Sequence, residues 1–79
     1  MFEALAKDDL VRIAAEGGGF RTDGSARPVI DLVHIAAAAG RSGARLILTG
    51  CDGLSVDELA QIAIAGRGNV MFDDREAAK

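Results

Sequence analysis

Residues 46–63 read LILTGCDGLSVDELAQIA, and the order of residue types along this stretch sets the expected architecture. Leu46, Ile47 and Leu48 make a short aliphatic run of the kind that suits a buried strand. Gly50 and Gly53 break it. Ser55 with Glu58 three positions later is a capping box, in which each side chain satisfies a backbone amide at the start of a helix. Leu59, Ile62 and Ala63 then stand at i, i+3 and i+4, the stripe of a half-buried helix. A strand, a turn and a helix are thus written in one segment.

The helical part occurs three times, as Asp9-Leu10-Val11-Arg12-Ile13-Ala14, Asp31-Leu32-Val33-His34-Ile35-Ala36 and Glu58-Leu59-Ala60-Gln61-Ile62-Ala63, at offsets of 22 and 27 residues. Between the second and third copies the correspondence continues upstream, with Thr22 on Thr49 and Val29 on Val56. Periods of roughly 20 to 50 residues mark stacked units that bury their apolar faces only against one another. Asp8 or Asp9 is expected to cap the first helix or to break a longer one running from Phe2, Pro28 to open the second at its first helical position, and Ser55 to cap the third. Gly17 to Gly19, Gly40 with Gly43, and Gly66 with Gly68 supply exits, and Arg41 and Arg67 complement the negative helix ends.

An extended run follows each exit: residues 19–22, 45–49 and 69–72. Strands alternating with helices imply a parallel sheet with right-handed crossovers. The expected fold is therefore α/β, a short right-handed solenoid-like stack of three strands with all helices on one face. With Leu46, Leu48, Val70 and Phe72 pointing inward, the open face is lined by Ile47, Thr49 and Met71. The chain reads as one domain of about three units, with a polar tail over residues 73–79. The same features also fit a piece cut from a longer protein.

The pattern Leu46-x-Leu48-x-x-Cys51-x-x-Leu54-Ser55-x-x-x-Leu59-x-x-Ile62-Ala63 resembles one repeat of the cysteine-containing leucine-rich repeat. Around residues 20–36 only the helical half matches, and the first copy has no strand before it. The resemblance implies a curved α/β solenoid that recognises other proteins through its sheet face, with the cysteine in the turn after the strand, touching the repeat beside it. The chain departs from that pattern in its uneven period and in carrying Asp23 or Gly24 where another such cysteine would fall.

Composition narrows the classes. A chain of 79 residues buries only roughly 60 to 65% of its unfolded surface, so its stability is expected to be modest or shared with a partner. Fifteen of its apolar residues are alanine and three residues are aromatic, which suits helices packed closely on strands. The net charge of −3 offers no general attraction for a phosphate backbone. No apolar run reaches the roughly 18 residues of a membrane span, the single cysteine suits a reducing compartment, and Glu3 stands where a secretory leader wants a basic residue. A cytoplasmic protein without nucleic-acid or membrane partners is expected.

Candidate chemistry is sparse. Cys51 sits between a strand and a helix, where a dipole can activate a thiol, but Asp52, Asp57 and Glu58 oppose a thiolate, so it reads as packing. His34 fills the slot held by Arg12 and Gln61 and reads as a surface residue, with Asp31 three positions before it. The 50–55 turn stands where anions meet helix amides but lacks a lysine and carries Asp52. Asp52, Asp57, Glu58, Asp73 and Asp74 show no metal-loop spacing, and Arg21, Arg27, Arg41, Arg45 and Arg67 fall mostly in loops, where they could form a basic rim.

No catalytic, cofactor or metal site is therefore expected. The leading expectation is a contact or self-assembly module: a homo-oligomer, or a partner of another protein, meeting it near Ile47, Thr49, Met71 and Phe72. Leu32, Ile35, Leu46, Leu48, Cys51, Leu59 and Ile62 are expected to be structural. The alternative is a small thiol-dependent or ligand-binding protein using Cys51 and the 50–55 turn.

Overall fold

The three stripes become three helices and the three extended runs become strands. A computed structural model of the chain describes residues 5–73, which run α1 (Lys7–Ala15), β1 (Phe20–Asp23), a 3-10 turn (Gly24–Ala26), α2 (Val29–Ser42), β2 (Leu46–Thr49), α3 (Val56–Gly66) and β3 (Val70–Asp73). The class is α/β, as expected. Asp73, assigned to the tail, is the last residue of β3 and pairs with Thr49; residues 74–79, like residues 1–4, lie outside the described part.

The helix boundaries follow local chemistry. Ser55 and Glu58 form the full capping box, Glu58 N donating to Ser55 Oγ at 3.1 Å and Ser55 N to Glu58 Oε1 at 2.8 Å. Asp8 and Asp9 do not cap α1. They occupy its first turn after Ala6, where carboxylates face the positive end of the dipole. Pro28 takes the cap position of α2 with extended backbone, one residue earlier than expected. α2 ends on Gly43 at φ +83°, whereas α3 ends on Arg67, itself left-handed at φ +52°. Gly40, expected as an exit, lies inside α2.

β1, β2 and β3 form a parallel sheet in chain order, with Phe20, Leu46 and Val70 in one row and Thr22, Leu48 and Phe72 in another. Phe20, Thr22, Leu46 and Leu48 are buried beneath the helices, and Val70 and Phe72 pack against them. Arg21, Ile47 and Met71 form the next row on the opposite face. The helices therefore cover one face only.

The ladder corrects one correspondence read from the repeat. Thr49 stands beside Asp23, not Thr22, because five residues join β1 to α2 and six join β2 to α3. One residue reverses the direction of a strand side chain. Thr22 thus points inward and Thr49 outward, yet Thr49 is only 7% exposed, its hydroxyl donating to the Thr22 carbonyl.

α1 and α3 each pack on α2, the central helix of the row. Leu32, Ile35, Ala36, Ala38 and Ala39 of α2 are fully buried, joined by Leu10 and Ile62 from its neighbours and Leu46 and Leu48 from the sheet. Each such leucine or isoleucine contributes about 1.5–3 kcal/mol. The alanines permit close approach, and at Gly40 even a methyl group is excluded, since a Cβ there would lie 2.8 Å from the Ala65 carbonyl oxygen. Polar ties join adjacent units: Ser42 Oγ donates to the Ala14 carbonyl, Asn69 Nδ2 to the Ala39 carbonyl, and Arg27 Nη2 to the Leu5 carbonyl.

Candidate functional site

Cys51 is 8% exposed and lies against the unit before its own. Its Sγ is 3.6 Å from the Thr49 carbonyl, and a Cβ added to Gly24 would come within 2.6 Å of the sulfur. Gly24 is thus the position over which the thiol lies. That contact accounts for a glycine where the repeat pattern would place a second cysteine: the sulfur from the next unit fills the space.

His34 is exposed on α2, where its Nδ1 faces Lys7 Nζ at 3.4 Å. It looks toward α1 and solvent, whereas Cys51 looks toward the turn after β1. Gly50, at φ +63°, lies over the Asp23 carboxylate, which accepts from Ser25 N at 2.8 Å and from Ser25 Oγ at 2.7 Å. With Asp52 exposed in the same turn, the 50–55 segment carries a negative charge that opposes an anion.

The other charged candidates are spread out. Glu58 serves the α3 cap, while Asp73 Oδ2 accepts from Arg21 Nη2 at 3.2 Å. Among the described residues no group of three histidine, cysteine or acidic side chains gathers as a metal site would require, and no cavity opens. Arg41, Arg45 and Arg67 lie along the edge where helices end and strands begin. Arg27 lies at the opposite edge and Arg21 on the outer sheet face, so the five arginines do not line one rim.

The residues expected at a contact surface divide. Met71 is 46% exposed on the outer face of β3 and Ile47 beside it is half-buried. Phe72 points to the helical side and Thr49 is nearly covered. The larger apolar surface lies on α3. Val56 is 80% exposed and Ile64 77%, and Ala60 and Ala63 between them are exposed as well. Positions 56, 60, 63 and 64 follow the helical period and share one face. The opposite face, through Ile62 and Gly66, is buried.

The three copies of the hexapeptide show what this face is. Ala14 and Ala36 are buried, but the corresponding Ala63 is exposed. At this position α1 and α2 are covered and α3 is bare. β3 is likewise an edge strand, paired only with β2 among the described residues. The third unit therefore has an apolar helix face and a strand edge that lack a neighbour among the described residues.

Ile47 and Met71 could be read from strand alternation, whereas Val56 and Ile64 were not singled out. The signal was present. Val56 and Ile64 lie off the stripe of Leu59 and Ile62, so α3 carries apolar residues on two sides, more than the single stripe that one buried face requires. No protein-family model matches the chain, and neither a curated protein nor a solved structure is found to be similar to it. Among the described residues no helix is long and apolar enough to cross a membrane.

Proposed function

We propose that the chain is a protein-contact or self-assembly module made of leucine-rich-repeat-like units, working by surface complementarity and not by catalysis, in the cytoplasm. The carrying observation is the bare apolar face of α3 beside the edge strand β3. Stacked-repeat proteins need polar outer faces on their terminal units, and a contiguous exposed apolar patch marks an interaction site. Contact of Cys51 with the neighbouring unit across Gly24 supports the repeat reading. The partner would have to be held by aliphatic packing and strand pairing, since the chain has neither tyrosine nor tryptophan.

The test is absolute molar mass by light scattering over a hundredfold range of concentration. A mass above the 8.2 kDa of one chain supports self-assembly. A monomer at every concentration would sink it and leave only contact with a different protein.

A further inference from the structure

The exposed faces of the two terminal helices differ in kind. α1 presents Asp8, Asp9 and Arg12, with Glu16 just past its end, and of its apolar residues only Ala15 is exposed. α3 presents Val56, Ala60, Ala63 and Ile64, bordered by the exposed Gln61, with Asp57 at its start and Arg67 just past its end. Head-to-tail stacking would press the apolar face of α3 onto the charged face of α1, desolvating carboxylates for which that apolar face offers no hydrogen-bond donor. Pairing α3 with another α3 avoids that cost. If the two helices run antiparallel, Asp57 of each copy comes beside Arg67 of the other, and the small residues Ala60 and Ala63 fall near the middle, where the axes must approach most closely.

We infer that two copies of the chain join about a two-fold axis, α3 against α3 in antiparallel sense and β3 beside β3. A rotation perpendicular to the sheet sets the two β3 edges antiparallel, giving one six-stranded sheet whose helices all remain on one face. The open edges of the third unit are thereby paired, and the contact closes on itself instead of propagating into fibres. The inference rests on the reading of α3 as a contact surface and adds the identity and symmetry of the occupant.

Single-cysteine cross-linking under mild oxidation, with molar mass measured in parallel, tests it. Ala60→Cys and Ala63→Cys lie within one helical turn of the axis, so each is expected to give a disulfide-linked dimer rapidly. Ala15→Cys on α1, and the parent protein with its buried Cys51, serve as controls and are expected to stay unlinked. Ile64→Asp, at an exposed position and with its fold checked by circular dichroism, is expected to raise the dimer dissociation constant at least about thirtyfold.

An oligomer whose α3 cysteines link no faster than Ala15→Cys overturns the two-fold arrangement while leaving the contact-module reading in place. A monomer at all concentrations overturns the two-fold arrangement and self-assembly together, leaving only contact with a different protein. A dimer that Ile64→Asp does not weaken also overturns the α3 interface.

Discussion

Arg21 on β1 reaches across the whole width of β2 to Asp73 on β3, Nη2 to Oδ2 at 3.2 Å, and so ties the two outer strands over the one between them. The pair lies on the face that no helix covers. Its guanidinium is half exposed, whereas the carboxylate is largely enclosed.

Arg21→Ala is expected to cost up to about 1 kcal/mol, the range of partly exposed ion pairs, and less at high salt. Urea unfolding at low and high ionic strength measures it. A loss that does not change with salt would assign the effect to the packing of the arginine stem.

The Cys51–Gly24 contact makes a coupled prediction. Gly24→Ala brings a carbon to 2.6 Å from Sγ and 3.2 Å from the Thr49 carbonyl, so overpacking should destabilise by about 1–3 kcal/mol. Cys51→Ala removes the sulfur that the new methyl would meet. Thermal melts of the two single variants and the double variant should therefore be non-additive, the pair costing less than the sum. Additive losses would mean that the two groups do not share a space.

Two further glycines separate close approach from simple flexibility. Gly40→Ala drives a methyl group toward the backbone of Ala65 and Gly66, which α3 can relieve only by moving away from α2. A loss of about 1–3 kcal/mol is expected, seen as a melting point lower by roughly 4–8 °C per kcal/mol. Gly53→Ala meets nothing within 4 Å and should be neutral, or stabilising by about 0.4–1 kcal/mol. Equal effects at the two sites would rule out the proposed difference.

Ser55→Ala removes the acceptor for Glu58 N and should cost about 1 kcal/mol. Amide exchange checks the location. Protection is expected to fall in the first turn of α3 and to stay unchanged in α1.

Much of this fold was legible because its signals are local. Ser55 with Glu58, the Leu-x-x-Ile-Ala stripes and the glycine exits each specify an element within a few residues, and the strands follow in the gaps. The register of Thr22 against Leu48 was not legible, since it depends on one residue's difference in turn length that the helical repeat conceals. Gly40 looked like a helix end, and only the nearness of α3 shows it to be a contact point. At the candidate surface, Met71 followed from alternation. Val56 and Ile64 did not, because aliphatic residues in a helix are ordinarily assigned to its buried side until a neighbour is found to be missing.

No strand pairing skips a unit, and the partners are 26 residues apart between β1 and β2 and 24 between β2 and β3. A chain emerging from the ribosome therefore has both strands of the first pair once residue 49 is out, and only the third unit is then needed to finish the sheet. Ordering of this kind favours folding in step with translation, with few long loops to close. Asp73 ends the third strand, so the Arg21–Asp73 bridge can close only once that strand is out, a clasp across the finished sheet.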